Sequence, residues 1–306
     1  MKILILGCSD IAIRRIIPAI KKISDLKFDI ASKSGKKKNY GQGSWFKDYD
    51  TALKKTNASI VYISLVNADH FNYAKKSLNK NKHVIVDKPI TVNFKKTLYL
   101  TKLARKKKLL LTEALVFHYH RQFALIKKII KTNKDQINKI IMKFCIPKPK
   151  KSNFKLSKKL GGGCLNDMSP YAISVIRNFL VGNLVYKNVI KKKKNNINES
   201  FSINTATKKT EFYGIFSHNS EYVNSITFHS NSYIMEVNRF SAPPNNIDLQ
   251  ILFRKKNTTK YIIVRKDDTF KKYLSEVVSK IKKKNFYYYL NPIEHDAKLK
   301  YKILNI

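Results

Sequence analysis

The first part of the chain alternates between apolar runs and helical patterns. Residues 3–6 form a continuous apolar run, typical of a strand buried on both faces of a parallel sheet. Gly7 ends this run, and apolar residues then recur at helical spacing through Ile20. Further stretches that we predict to be strands follow, separated by helical patterns, at residues 28–31, 59–65, 83–90 and 109–112. Strands that alternate with helices in this way predict a doubly wound parallel sheet.

The second half of the chain has a period of two. Alternating stretches separated by short polar breaks predict antiparallel strands at residues 201–206, 211–217, 222–229 and 233–237. We expect them to form one broad sheet that lines a substrate cleft or a subunit interface. Residues 191–197, KKKKNNI, are predicted to be a solvated loop. A final helix is predicted from Phe270 to Lys282, and the tail that follows it is left unassigned.

The charge of the chain is extreme. It has 62 Lys and Arg against 20 Asp and Glu, a net charge of +42. One interpretation is a polyanion partner such as nucleic acid. The lysines are spread along all 306 residues instead of forming one stripe, so we favour a compositional bias with lysine at solvated positions. We therefore predict no nucleic-acid partner and keep polyanion binding as the alternative from another functional class.

The cysteines and the apolar segments bear on compartment and membrane. Cys8, Cys145 and Cys164 are an odd number without metal-ligand spacing, which favours a reducing cytoplasm and no metal centre. No apolar run reaches the ~18 residues of a membrane span. We expect a cytoplasmic protein with no membrane partner.

The turn after the first strand is a candidate dinucleotide site. A strand that passes through a tight glycine turn into a helix presents backbone N–H groups and a positive dipole end to a pyrophosphate. The fingerprint G-x-G-x-x-G/A is partly met, because Ser9 replaces the second glycine. The alternative is an ordinary strand-to-helix turn. The predicted cofactor residues here are Gly7, Cys8, Ser9, Asp10, Ile11 and Ala12.

The end of the second strand bears on which nicotinamide cofactor is used. Ser32, Lys33 and Ser34 stand where a carboxylate would accept hydrogen bonds from the adenosine ribose. A cation there suits a 2′-phosphate, so we predict NADP as the preferred cofactor over NAD. The alternative is one more lysine in a lysine-rich chain.

Ligands of such sheets lie outside the carboxyl ends of the strands. The third and fourth long strands place further residues at that edge, and we predict cofactor contacts for Ser64, Leu65, Asn67, His70, Asp87 and Lys88. Lys88 is also a catalytic candidate, because an ammonium group can stabilise the alkoxide charge that develops when hydride leaves or reaches a carbon. The alternative for Lys88 is a surface lysine.

Four segments occur in one order along the chain: Gly7–Ala12, Asn67–His70, Lys82–Pro89 and Gly161–Asp167. This series resembles the Gfo/Idh/MocA oxidoreductases over about residues 1–245. The resemblance implies a Rossmann domain, which we place at residues 1–118. It also implies a second α/β domain, at residues 119–306, with an open, mostly antiparallel sheet that carries substrate and supports a homo-oligomer. The family's usual reaction exchanges hydride between a nicotinamide and a secondary alcohol of a sugar or cyclitol.

The same resemblance suggests substrate residues. It implies substrate contacts for Glu113, His120, Asp167 and Tyr171, and catalytic roles for Asp167 and Tyr171 beside Lys88. The family motif ends D-x-x-x-H, and Tyr171 stands at its histidine position. A phenol acts more readily as an acid toward a ketone than as a base near neutrality, which favours ketosugar reduction. The alternative for Tyr171 is packing of a helix against a sheet.

Two further features of the second half have competing interpretations. Gly161, Gly162 and Gly163 allow the backbone to approach a ligand closely. The competing interpretation is a phosphate-binding loop, but the G-K-[ST] ending of such a loop is missing. His118 and His120 would share one face of a strand, but no partner ligand lies nearby in sequence, so we predict no metal.

The function predicted is an NAD(P)-dependent oxidoreductase acting on a nucleotide-linked sugar. A free-sugar or cyclitol dehydrogenase is the alternative within the family.

Overall fold

The computed structural model describes residues 1–33, 40 and 43–304, which divide into two compact units. The first unit joins Met1–Leu115 to Phe270–Lys298, and the second contains Val116–Thr269 and the residues from Leu299 onward. The strands are β1 (Lys2–Leu6), β2 (Lys27–Ala31), β3 (Trp45–Phe46), β4 (Ile60–Ile63), β5 (His83–Val86), β6 (Leu111–Glu113), β7 (Ile137–Cys145), β8 (Val185–Lys194), β9 (Ile197–Ala206), β10 (Glu211–Ser217), β11 (Val223–Ser230), β12 (Tyr233–Asn238), β13 (Leu249–Lys255) and β14 (Thr258–Val264). The helices are α1 (Ile17–Lys21), α2 (Tyr49–Lys55), α3 (His70–Asn79), α4 (Phe94–Lys106), α5 (Arg121–Asn133), α6 (Cys164–Phe179), α7 (Thr269–Lys282) and α8 (Leu290–Leu304).

The first unit contains a six-stranded parallel sheet. Its strand order is β3-β2-β1-β4-β5-β6, which is the order of the doubly wound dinucleotide-binding fold. Residues 3–6 of β1 are completely buried, because helices cover both faces of the sheet. The order reverses at β1, so the carboxyl ends of β1 and β4 flank the crevice where such sheets bind ligands. The prediction of a Rossmann sheet is confirmed.

Local sequence explains several boundaries in this unit. The Asp48 carboxylate accepts a hydrogen bond from the N–H of Thr51 and begins α2, and Asn93 begins α4 in the same way through Lys96. The helix after β1 includes a π-helical turn, Ala12–Ile16, before α1. Pi turns of this kind occur often at functional sites.

The division of the chain differs from the predicted boundary at residue 118. The first unit ends at Leu115 and also includes Phe270–Lys298, a C-terminal segment that was predicted to belong to the second domain. In that segment the Tyr273 hydroxyl donates to Thr112 Oγ1 at 3.2 Å. The Arg105 guanidinium also pairs with Glu294 at 3.2 Å. An amphipathic C-terminal helix can cover either sheet, and its own sequence does not specify which one.

The second unit is built on an eight-stranded sheet in the order β14-β13-β12-β11-β7-β10-β9-β8. Only the pair β7–β10 is parallel, so the predicted, mostly antiparallel sheet is confirmed. One face is buried through residues such as Met142, Phe212 and Phe228, and α6 packs against β9 and β10. The opposite face leaves Ile215, Tyr261 and Ile263 exposed to solvent.

The solvated loop predicted at residues 191–197 is wrong. Lys191 to Lys194 complete β8, and β9 begins at Ile197. Asn195 and Asn196 form the turn between them with positive φ values of 50° and 61°, a conformation that asparagine tolerates and that suits a two-residue hairpin. β8 is an edge strand, and a row of lysines on such a strand discourages pairing with other chains.

Among the described residues, no helix combines the length and apolar character needed to span a bilayer. All three cysteines are free thiols.

Candidate functional site

The turn after β1 lies directly against the end of β4. Gly7 has φ +96°, and its N–H donates to the carbonyl oxygen of Ala31 at 2.8 Å. A Cβ at this position would lie 2.1 Å from the backbone oxygen of Ser64, so only glycine fits. The first fingerprint glycine therefore lets two neighbouring strand ends approach each other.

The rest of the predicted cofactor turn is partly accessible. The Ser9 hydroxyl lies 2.6 Å from that of Ser64 and accepts the N–H of Ala12 at 3.2 Å. Cys8 is half-buried with its Sγ 3.7 Å from the Tyr40 hydroxyl. Asp10 is exposed, Ile11 is half-buried and Ala12 is buried.

At the end of β2, Ser32 is buried and Lys33 is exposed. The Lys33 ammonium lies 5.0 Å from the centre of the Tyr49 ring, a cation–π contact. The pKa of the nearby Asp48 carboxyl is lowered, first by the N–H of Thr51 and to a smaller degree by the charge of Lys33. Ser34, the third residue predicted here, lies outside the described residues.

Asp87 is the centre of a hydrogen-bond cluster at the end of β5. Its two carboxylate oxygens accept hydrogen bonds from the hydroxyls of Tyr62 at 2.5 Å and Ser64 at 2.6 Å. Burial raises the pKa of the Asp87 carboxyl, and these two hydrogen bonds oppose that rise. Burial, followed by the charge of Asp87, raises the pKa of Tyr62 well above its ordinary value. Tyr62 was not among the predicted site residues, because a tyrosine inside an apolar strand is expected to pack in the core.

Lys88 follows Asp87 and is half-buried, and the Lys88–Pro89 peptide bond is cis. The positive charge of Lys88 also opposes the rise that burial causes in the pKa of Asp87. The next N–H, that of Ile90, donates to the Glu113 carboxylate at 2.9 Å. In the structure the Glu113 carboxylate holds the turn that carries Lys88, and its substrate contact stays a prediction.

His70 holds the same turn from the other side. The ring is completely buried, and its nitrogens lie 2.7 Å from the Pro89 carbonyl oxygen and 3.1 Å from the Leu65 carbonyl oxygen. Asn67, also buried, begins the short 3₁₀ turn before α3. The structure thus shows His70 in contact with the backbone beside Lys88, and its contact with the cofactor stays a prediction.

In the second unit, α6 carries the predicted pair Asp167 and Tyr171 one turn apart. The buried Asp167 carboxylate accepts hydrogen bonds from His218 at 3.0 Å and from the Lys155 ammonium at 2.8 Å. The half-buried Tyr171 ring packs against Phe117 and Phe144, with centroid distances of 5.8 Å and 5.3 Å.

His218 and Lys155 were missed by the sequence analysis. His218 follows β10 and stands 51 residues from Asp167, and Lys155 lies in a 3₁₀ turn 12 residues before it, so no spacing rule connects either residue to Asp167. The only signal was the acidic residue inside an otherwise apolar helix, which needs a partner when buried.

The close approach predicted for the three glycines is to the protein's own backbone. The N–H groups of Gly161, Gly162 and Gly163 donate to the carbonyl oxygens of Lys158, Ser157 and Lys155. A Cβ on Gly162 would lie 2.4 Å from the backbone oxygen of Phe154. This segment holds the loop that carries Lys155 and is not a phosphate cradle.

The two histidines after β6 do not share a strand face, contrary to the geometry considered for a metal pair. His118 lies in a 3₁₀ turn, and its Nε2 is 2.5 Å from Ser174 Oγ. His120 begins α5, and its Nδ1 accepts the N–H of Gln122 at 3.1 Å. Burial lowers the pKa of His118 to about 3. Across residues 1–33, 40 and 43–304, no group of three or more His, Cys, Asp or Glu side chains is arranged to hold a metal ion.

Comparison with known proteins agrees with a dinucleotide-binding parallel sheet in the first unit. Residues 1–115 match the Gfo/Idh/MocA model, an oxidoreductase family with an NAD-binding Rossmann fold. The match covers the part of the chain that forms the six-stranded parallel sheet. The resemblance inferred from the four motifs is thereby confirmed for residues 1–115, which contain the first three of them.

The curated relatives include several sugar oxidoreductases. A dTDP-3,4-didehydro-2,6-dideoxy-alpha-D-glucose 3-reductase of Saccharopolyspora spinosa is 27% identical over 60% of this chain and 57% of its own length. The reductase of the same name from Actinomadura kijaniata is 22% identical over 88% of this chain and 83% of its own length. The chain thus spans little more than half of the first of these relatives. D-xylose 1-dehydrogenase (NADP(+)) 2 of Haloferax volcanii is 23% identical over 58% of this chain and 56% of its own length.

Solved structures share the whole fold. A 3-ketoreductase from Actinomadura kijaniata, solved with NADP and TDP-benzene, has a TM-score of 0.91 at 20% identity, over 100% of this chain and 97% of that one. An aldose-aldose oxidoreductase from Caulobacter crescentus has a TM-score of 0.88 at 13% identity, over 100% of this chain and 96% of that one. Both confirm the predicted fold class.

Proposed function

We propose that the protein is an NADP(H)-dependent oxidoreductase that transfers hydride between the nicotinamide and a keto or hydroxyl carbon of a nucleotide-linked sugar. The observation that carries this proposal is the position of Lys88. The lysine lies at the carboxyl end of β5, in a Gfo/Idh/MocA sheet, on a turn anchored by His70 and Glu113. The names of the curated reductases support a nucleotide-linked ketosugar as the substrate class.

The first unit fits a dinucleotide. Only glycine is sterically possible at position 7, and the turn that follows leads straight into a helix. The chain has the exposed Lys33 where an NAD-specific site has a carboxylate, which favours a 2′-phosphate. Residues 7–12, Ser64 and Asn67 would hold the cofactor, which supplies the hydride-carrying ring when bound.

The residues of the chain would supply the acid–base chemistry. The Lys88 ammonium would donate a hydrogen bond to the reacting oxygen and stabilise its developing negative charge. The Tyr171 phenol would give its proton to that oxygen on reduction and take it back on oxidation. Asp167, oriented by Lys155 and His218, would accept hydrogen bonds from sugar hydroxyls, since a carboxylate has about four acceptor positions.

An untested part of the proposal concerns assembly and compartment. We propose a homo-oligomer formed through the open face of the eight-stranded sheet, which exposes Ile215, Tyr261 and Ile263. We also propose a cytoplasmic enzyme, because its three cysteines are all free thiols.

A free-sugar dehydrogenase is the second candidate, and one comparison favours it. The archaeal relative is a D-xylose 1-dehydrogenase that uses NADP(+). Tyr171 in place of the family's histidine is the feature that makes us prefer an activated ketosugar.

The test begins with NADPH and NADH fluorescence titrations, followed by NADPH consumption with dTDP-linked 3-ketosugars and with free aldoses. We expect NADPH to bind more tightly than NADH and the nucleotide-linked ketosugar to be reduced. Tyr171→Phe keeps the ring packing against Phe117 and Phe144, so we expect a loss of kcat of about 10²-fold or more with normal NADPH binding. If neither NADPH nor NADH binds, the proposal is contradicted. Salt-sensitive binding to DNA would then support the polyanion alternative.

A further inference from the structure

A chain of hydroxyl groups runs along the carboxyl edge of the parallel sheet, from the turn after β1 to the end of β5. The N–H of Ala12 donates to Ser9 Oγ at 3.2 Å, and Ser9 Oγ lies 2.6 Å from Ser64 Oγ. Ser64 Oγ donates to Asp87 Oδ2 at 2.6 Å. The chain therefore connects three strand ends and stops at the residue before Lys88.

The direction of each hydrogen bond follows from counting hydrogens. A serine hydroxyl has one hydrogen, and the hydrogen of Ser64 is directed to the Asp87 carboxylate. In the contact between the two serines, Ser9 must therefore be the donor and Ser64 the acceptor. The oxygen of Ser9 then accepts the N–H of Ala12. Each of the two serine hydroxyls both donates and accepts, so the loss of either one removes a hydrogen bond from the group on each side of it.

The position of Ser9 conflicts with the dinucleotide fingerprint, which has glycine there so that backbone can approach the pyrophosphate. In this chain the turn already lies against β4, because Gly7 sits where a Cβ would be 2.1 Å from Ser64 O. The same closeness brings the Ser9 hydroxyl within reach of Ser64. A glycine at position 9 could make neither hydrogen bond.

We propose that Ser9 is a positioning residue that couples the cofactor turn to the strand end carrying Lys88. Its hydroxyl, through Ser64 and Asp87, holds residues 8–12 in a fixed place relative to the Lys88–Pro89 turn. This inference deepens the proposed function, and it rests on that function only in the experiment that measures cofactor binding. Ser9 then replaces the second glycine of the fingerprint and has a positioning role of its own. Its presence does not indicate that the cofactor site has been lost.

The first experiment is NADPH titration of four position-9 forms of the full chain: Ser9, Ser9→Thr, Ser9→Ala and Ser9→Gly. We expect Ser9→Ala and Ser9→Gly to raise the Kd for NADPH about tenfold, and Ser9→Thr, which keeps a hydroxyl, to stay within about threefold. The fingerprint rule makes the opposite prediction for Ser9→Gly, tighter or unchanged binding, and that result would overturn the proposal.

A matched control is available in α3. Ser77 is a completely buried serine whose hydroxyl donates to the carbonyl oxygen of Tyr73 at 2.6 Å, outside the chain of hydroxyls. Ser77→Ala also deletes one hydrogen-bonded hydroxyl, but we expect it to leave the Kd for NADPH unchanged. An equal rise in Kd for Ser77→Ala and Ser9→Ala would show a general loss of stability and contradict a positioning role.

The second experiment needs no cofactor and so separates this inference from the proposed function. Ser9 and Asp87 do not touch each other, yet the hydroxyl chain predicts that they are energetically coupled in the apoprotein. In a double-mutant cycle of Ser9→Ala and Asp87→Asn, we expect the melting temperature of the double variant to exceed the additive value by about 2 °C or more. Additive shifts would overturn the inference even if NADPH binds, and coupling would uphold it even if NADPH does not.

Discussion

His70 Nδ1 lies 2.7 Å from the carbonyl oxygen of Pro89, and Nε2 of the same ring lies 3.1 Å from the carbonyl oxygen of Leu65. One buried side chain thus ties the loop after β4 to the turn that carries Lys88. The Glu113 carboxylate holds the N–H of Ile90 on the far side of that turn. The turn that carries Lys88 is therefore held by side chains from two other elements, the start of α3 and the end of β6.

Replacing His70 by alanine should impair function beyond its effect on stability. We expect His70→Ala to lower the free energy of unfolding by about 1–3 kcal/mol, because it removes a buried ring that donates a hydrogen bond to a backbone carbonyl oxygen. We expect kcat to fall about tenfold as the turn with Lys88 loosens. His83→Ala is the matched control, because His83 Nδ1 accepts the N–H of Leu110 at the opposite end of β5. Urea unfolding and steady-state kinetics of both variants make the comparison; equal kcat values would contradict the anchoring role of His70.

The two glycines Gly7 and Gly182 separate backbone strain from steric exclusion. Their φ values are similar, +96° and +108°, but a Cβ on Gly182 would meet nothing within 4 Å. We expect Gly182→Ala to cost about 1 kcal/mol from strain alone. Gly7→Ala, whose Cβ would overlap Ser64 O, should cost several kcal/mol more or prevent folding. Thermal denaturation measures both, and similar losses would show that the turn can move away from β4.

His118 should make the protein less stable in acid. Its folded pKa is lowered to about 3 by burial, whereas the ordinary value is 6.5. The unfolded chain therefore binds one more proton than the folded chain between about pH 3 and pH 6.5, and stability rises with pH over that window. We expect this group alone to remove about 3 kcal/mol between pH 7 and pH 4. In His118→Gln, which can still reach Ser174, the midpoint of urea unfolding should depend less steeply on pH, and an unchanged slope would contradict this prediction.

The ion pair of Lys155 with Asp167 should affect sugar binding alone. Lys155→Met keeps the length of the side chain and removes the ammonium that lies 2.8 Å from Asp167 Oδ2. We expect KM for the sugar substrate to rise about five- to tenfold while the Kd for NADPH stays unchanged, because the two groups belong to the second unit. A matched rise in both constants would show that the substitution acts through the fold.

The open face of the eight-stranded sheet should control assembly. Ile215 is 45% exposed and lies on β10, near the middle of the sheet, beside Lys143 and Ser202. We expect Ile215→Lys to reduce the mass measured by light scattering to that of one chain, because a charge buried in an interface is costly. Val181→Lys is the control, since Val181 is 80% exposed outside the strands. If Ile215→Lys leaves the mass of an oligomer unchanged, the interface lies elsewhere.

Several features of the fold and the site could be predicted from local sequence. The buried strand at residues 3–6, the turn at Gly7 and the strand end at Lys88 follow from apolar runs and the residues that interrupt them. The lysine-rich end of β8 was predicted wrongly, because charge and polarity suggested a loop where the Asn195–Asn196 turn closes a hairpin. Strand formation there depends on pairing with β9, which hydropathy along one strand does not report.

The sequence by itself determined which residues reach the carboxyl edge of the parallel sheet, because strand periodicity and a right-handed crossover leave few other arrangements. Only the tertiary structure decided what those residues touch: His70 and Glu113 against the turn of Lys88, His218 and Lys155 on Asp167, and the N–H groups of Gly161–Gly163 on their own loop. The glycine contacts are local, but the side-chain contacts join residues that are 12 to 51 positions apart in the chain. Their partners are selected by the three-dimensional packing of strand ends and loops, which no spacing along the sequence encodes.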